Sequence, residues 1–131
     1  MKIFVQFVSS LVGGILLGII GLFIGSMIGG NFGFPEFGGN VGYQAGGPFF
    51  GIIGISLGSL LGIIAAKRIQ KDQFIYSITS IAAIITTIIG LLLFDYNMPP
   101  AIGFSIPLMP AIVLIIVTNW QKFFKIKLNK T

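Results

Sequence analysis

Residues 13–30 read GGILLGIIGLFIGSMIGG, and residues 46–63 read GGPFFGIIGISLGSLLGI. Aligned at an offset of 33, the two share 9 of 18 positions, six of them glycine. The stretch 13–63 holds 17 of the chain's 19 glycines. Gly14, Gly18, Gly21, Gly25 and Gly29 are spaced 4, 3, 4, 4, and Gly47, Gly51, Gly54, Gly58 and Gly62 repeat that spacing. At about 100° per residue, five such positions fall within about 80° of arc on one helix face. Each copy therefore predicts a helix carrying a smooth strip without side chains.

The composition says what surrounds such helices. Hydrophobic residues make up 55% of the 131, charged residues 8%, and the mean hydropathy is +1.03. A soluble domain carries about a quarter charged residues. So few charges cannot cover a water-facing surface, which predicts one multi-span domain in a membrane. The net charge of +5 sits beside apolar spans. Membrane topology explains it better than nucleic acid, which is not an expected partner.

Chemistry is restricted as well. The chain has no Cys and no His. It thus lacks a thiolate, a disulfide framework, the commonest general base and the commonest transition-metal ligand. The glycines lie inside apolar spans rather than after a strand with an acidic partner downstream, so they do not form a nucleotide loop. No catalytic residue, cofactor or metal site is expected, and the chain is read as no enzyme.

Four spans are predicted, at residues 3–29, 47–66, 74–94 and 105–121, with a basic interfacial tail at 122–131. The first apolar run, about 26 residues long, exceeds a signal-peptide core and is read as a retained span. Residues 30–46 form a Gly/aromatic loop in which Phe32, Phe34, Phe37 and Tyr43 suit the membrane–water boundary. Pro48 fits the first turn of the second helix. Lys67, Arg68 and Lys71 fall in a short charged loop. Pro99 and Pro100 end the third span. Pro107 and Pro110 leave two readings of the fourth: a helix starting near Ser105 with both prolines in or just past its first turn, which is preferred, or a kinked helix from Ala101. Trp120, Phe123 and Phe124 mark its interfacial end, and the lysines of the tail suit an anionic leaflet.

Charge orients the spans. Four crossings put Lys2, Lys67, Arg68, Lys71, Lys122, Lys125, Lys127 and Lys130 on one side, and the opposite loops hold only Glu36 and Asp95. The positive-inside rule then places both termini in the cytoplasm, in an inner or plasma membrane. A three-span chain would split the basic residues.

Lipid gives no hydrophobic drive for helix association, whereas small residues permit close backbone approach. The ten glycines named above are thus expected at a helix-packing surface. The pattern resembles glycine-zipper membrane segments, a packing signature shared by unrelated proteins that carries no function with it. The first two spans are read as an antiparallel glycine-zipper hairpin. Its grooves serve packing within the chain, a second copy or another membrane protein, or a conducting path, in that order of preference. Thr79, Ala83, Thr86 and Gly90 echo the spacing and predict a face of the third span docked on the hairpin, with hydroxyls bonding across helices. The Leu, Ile and Val residues of the fourth span are expected to face lipid or a partner. No ionisable residue falls within a span, which argues against ion-coupled transport. Glu36 and Asp95 form a weak outer-side acid pair, read as solvated loop charges.

The function expected from these features is a small non-enzymatic structural or accessory subunit. It would pack with itself, as a homo-oligomer, or with a larger membrane complex through its glycine-rich faces. The alternatives are an oligomeric pore or holin-like permeabiliser and a small-solute transporter.

Overall fold

The computed structural model describes residues 2–71, 76–95 and 108–128, with side chains described to Trp120. Among these residues are four helices: α1 (Lys2–Phe32), α2 (Tyr43–Ile69), α3 (Tyr76–Asp95) and α4 (Leu108–Leu128). The first three are long and apolar enough to cross a membrane, with mean hydropathies of 2.4, 2.2 and 2.3 over an 18-residue stretch of each. At about 1.5 Å per residue, the 20 residues of α3 match roughly 30 Å of hydrocarbon, and α1 and α2 exceed it. The apolar part of α4 runs over Leu108–Trp120 and is shorter. Residues 101–107, where its start was in question, lie outside the described residues. Pro110 is the third residue of α4 and lies within its first turn, where a missing N–H is harmless.

α1 and α2 run antiparallel in backbone contact. A Cβ on Gly58 would meet the Gly13 carbonyl, with its carbon at 2.6 Å; on Gly54 it would lie 2.8 Å from the Leu17 carbonyl carbon. Further along, a Cβ on Gly25 would lie 2.8 Å from the Gly46 carbonyl carbon, and one on Gly29 2.8 Å from that of Gly42. Van der Waals contact between main chains is possible only because these residues lack side chains. α1 contributes little other burial: Phe4, Leu16, Phe23 and Met27 point outward, at 58–70% exposure.

α2 starts a turn earlier than its apolar run suggested. Gly42, with φ 60°, turns the chain into the helix, and the Gly42 carbonyl accepts from the Ala45 and Gly46 amides. Pro48 therefore sits inside the helix rather than in its first turn. α2 also ends later, at Ile69, so Lys67 and Arg68 belong to its last turn. There the two cations complement the negative pole of the helix.

α3 buries Thr79, Ala82, Ala83, Thr86 and Gly90. The four small residues expected on that face are all among them. Ala82 and Ala83 pack with Ile63 of α2 and Leu114 of α4. The hydroxyls of Thr86 and Thr87 do not cross to a neighbour: Thr86 donates to the Ala82 and Ala83 carbonyls, and Thr87 to that of Ala83. A threonine on a helix reaches the carbonyl one turn back without needing a partner helix. α4 departs from expectation too. Its Leu114 is fully buried against α2 and α3, while Ile112, Ile116 and Trp120 are exposed.

The loop between α1 and α2 is short and closed. Phe37 and Asn40 exchange backbone hydrogen bonds of 2.9 and 3.1 Å. Gly38 and Gly39 both have positive φ, 59° and 74°, as a two-residue turn of the primed kind needs. Of the four aromatics expected in this loop, Phe32 ends α1 and Tyr43 begins α2, both exposed, but Phe37 is buried and Phe34 half-buried. Phe37 stacks on Phe94 at 5.2 Å and meets Phe49 edge-on at 5.4 Å. Pairing rings with one another buries more apolar area than an interfacial position would.

Candidate functional site

The two ends of the bundle differ in chemistry. At the aromatic end, the Asp95 carboxylate accepts from the Gly38 amide at 3.0 Å, which ties α3 to the loop. Glu36 is exposed in the same loop. Asp95 is thus a backbone-bound anchor at the end of α3 rather than a free loop charge.

At the basic end lies a buried polar cluster that the expected spans and loops do not include. Asn119 Nδ2 donates to Gln6 Oε1 at 2.9 Å, and Gln6 Nε2 donates to Gln70 Oε1 at 2.7 Å. Gln70 Nε2 in turn donates to the Lys2 carbonyl at 3.0 Å. Lys67 Nζ donates to the Thr118 carbonyl at 3.0 Å, beside Asn119. Deeper in, Ser10 Oγ donates to the Ser59 carbonyl at 3.0 Å. Gln6, Ser10, Ser59 and Asn119 are fully buried, and Lys67 is 1% exposed.

Lys67 overturns the expectation that every ionisable residue stays outside the packed helices. The reason is the length of α2: one more helical turn carries Lys67 under α4 instead of into a loop. Its ammonium then finds a carbonyl, as a buried charge must. Asn119 Oδ1, Ser56 Oγ and Ser59 Oγ find no hydrogen-bond partner among the described residues.

The sequence did contain a signal for this cluster. Gln6, Ser10, Gly14 and Gly18 recur every fourth residue and are all buried, so the polar pair continues the glycine strip. Ser59, Ile63 and Lys67 form the matching row on α2. Gln6 and Ser10 are polar residues inside an apolar run, and their spacing puts them on its packing face.

The structure brings the ten glycines of the packing strips into the α1–α2 seam. Eight are buried, and Gly21 and Gly62 are half-buried at the same contact. Gly13 and Gly46 join them, each facing backbone of the other helix. The strips face each other within one chain, so neither is left open to a partner. Between Ile15, Gly18, Ile19, Leu22 and Ile55 an outward-facing groove of about 190 Å³ remains, lined only by apolar atoms.

No protein-family model matches the chain, and neither the curated proteins nor the solved structures contain a match.

Proposed function

We propose that this chain is a small, non-enzymatic, four-span membrane protein that serves as a structural or accessory subunit, packing with itself or with a larger membrane complex. The observation that carries the reading is the α1–α2 seam. Backbone lies on backbone from Gly62 beside Ser9 to Gly29 beside Gly42. That leaves no room for a solute between the two helices and turns Phe4, Leu16, Phe23 and Met27 of α1 and Leu57 and Leu61 of α2 outward. A partner would meet those outer faces rather than the glycines.

The same seam supports a glycine-zipper hairpin built from two copies of one helix. Its contacts recur when both residues move by the offset of 33. Gly13 on Gly58 becomes Gly46 on Gly25, Gly21 on Phe50 becomes Gly54 on Leu17, and Gly14 on Ser59 becomes Gly47 on Ser26. This is the pattern of an inverted pair about an axis in the membrane plane. The distribution of Lys and Arg supports cytoplasmic termini in an inner or plasma membrane.

Purification from its own membranes in mild detergent, followed by native mass measurement, tests the role. A homo-oligomer or a partner of fixed stoichiometry is expected, and a lone monomer sinks it. Dye release from liposomes carrying the pure protein would replace the proposal with the pore reading.

A further inference from the structure

We infer that Lys2, Arg68 and Lys71 form a seat for the headgroup of an anionic phospholipid. All three are exposed at the basic end. The Gln70 side chain holds them together, because it bonds the Lys2 carbonyl with one atom and Gln6 with the other. This clamps the first turn of α1 to the last turn of α2. The Lys71 backbone is held as well: it has φ 52°, and its amide donates to the Arg68 carbonyl at 3.1 Å.

The surroundings fit a phospholipid better than a soluble anion. Phe4 is 69% and Ile69 82% exposed, on the two helix ends that carry the cations. They place apolar surface beside positive charge, which matches a headgroup with its acyl chains. Of the chain's three acids, Glu36 and Asp95 belong to the opposite end, and Asp72, which follows Lys71, lies outside the described residues. Lys67 is buried within the last turn of α2, under α4, and takes no part. The seat requires the helices to cross a bilayer, but it does not depend on the subunit role.

The test is spin-label lipid association with the full chain, reconstituted in phosphatidylcholine vesicles containing phosphatidylglycerol. The wild type is expected to favour labelled phosphatidylglycerol over labelled phosphatidylcholine at least about threefold, and high salt should abolish the preference. R68Q alone should lower it, and K2Q/R68Q/K71Q should remove it. Q70A, which keeps every charge but opens the clamp, should lower it too. K125Q/K127Q/K130Q removes three charges from the tail and should leave it nearly unchanged. The proposal is overturned if R68Q and the first triple variant keep the wild-type preference. It is equally overturned if the tail variant loses as much, which would make the effect one of net charge. Inorganic phosphate that competes the preference away at matched ionic strength would reassign the seat to a free anion.

Discussion

Asn119 and Gln6 are hydrogen-bonded at 2.9 Å between fully buried side chains 113 residues apart. This bond ties α4 to α1, which otherwise packs almost only on α2. Either partner removed alone leaves the other buried without its bond, at a cost of about 1–3 kcal/mol. Gln6→Leu and Asn119→Leu should therefore each destabilise the protein, and the double variant should lose less than their sum. Membrane cycles of this kind average about 0.6 kcal/mol of coupling. Reversible unfolding in mixed micelles would measure it, and additive losses would show that the bond contributes nothing.

The seam makes a contrast between two glycines of one helix. A Cβ on Gly25 would lie 2.8 Å from both the Gly46 carbonyl carbon and Phe50 Cβ, whereas one on Gly30 would meet only Tyr43 Cβ at 3.6 Å. Gly25→Ala should cost about 1–3 kcal/mol through overpacking. Gly30→Ala should be neutral or stabilising by up to about 1 kcal/mol, because alanine favours the helix. Equal effects in the same unfolding assay would mean that α1 and α2 do not touch at Gly25.

Lys67 and Lys71 lie four residues apart and should differ in reactivity. A water-soluble amine reagent is expected to modify Lys71 and Lys2 but spare Lys67 until the protein unfolds. Peptide mass analysis reads this directly. Rapid modification of Lys67 would place it in the loop that the sequence suggested. Arg68→Ala, at an exposed site, should change stability by no more than about 0.5 kcal/mol, and Lys67→Ala by clearly more.

Asp95 and Gly38 make the fourth case. Asp95→Ala removes the acceptor of the Gly38 amide and should cost about 1 kcal/mol while speeding exchange of that amide. Gly38→Ala should cost more, since it combines a positive φ with a Cβ 2.6 Å from the Phe94 ring. Hydrogen exchange across residues 33–42 would rank the two, and the reverse order would contradict this geometry.

Much of the architecture was legible along the chain. Hydropathy marked the three long helices, glycine spacing marked their contact face, and the small residues of α3 marked its buried side. These are local properties, repeated at the helical period. What failed were places where one helix alone decides nothing. The exact ends of α2, the inward turn of Phe34 and Phe37, and the burial of Leu114 depend on which neighbour is at hand.

By itself, the sequence determined that this chain forms apolar helices fit to cross a membrane, and which glycines leave a backbone bare. Helical periodicity and hydropathy suffice for that. Only the tertiary structure decided that the two bare strips close on each other. It also decided that Gln6, Lys67, Gln70 and Asn119 gather at one end, and that Asp95 fastens the other. The reason is physical: a polar side chain near the end of a helix can turn to water or to a partner. A residue 113 positions away, brought into reach by packing, settles which.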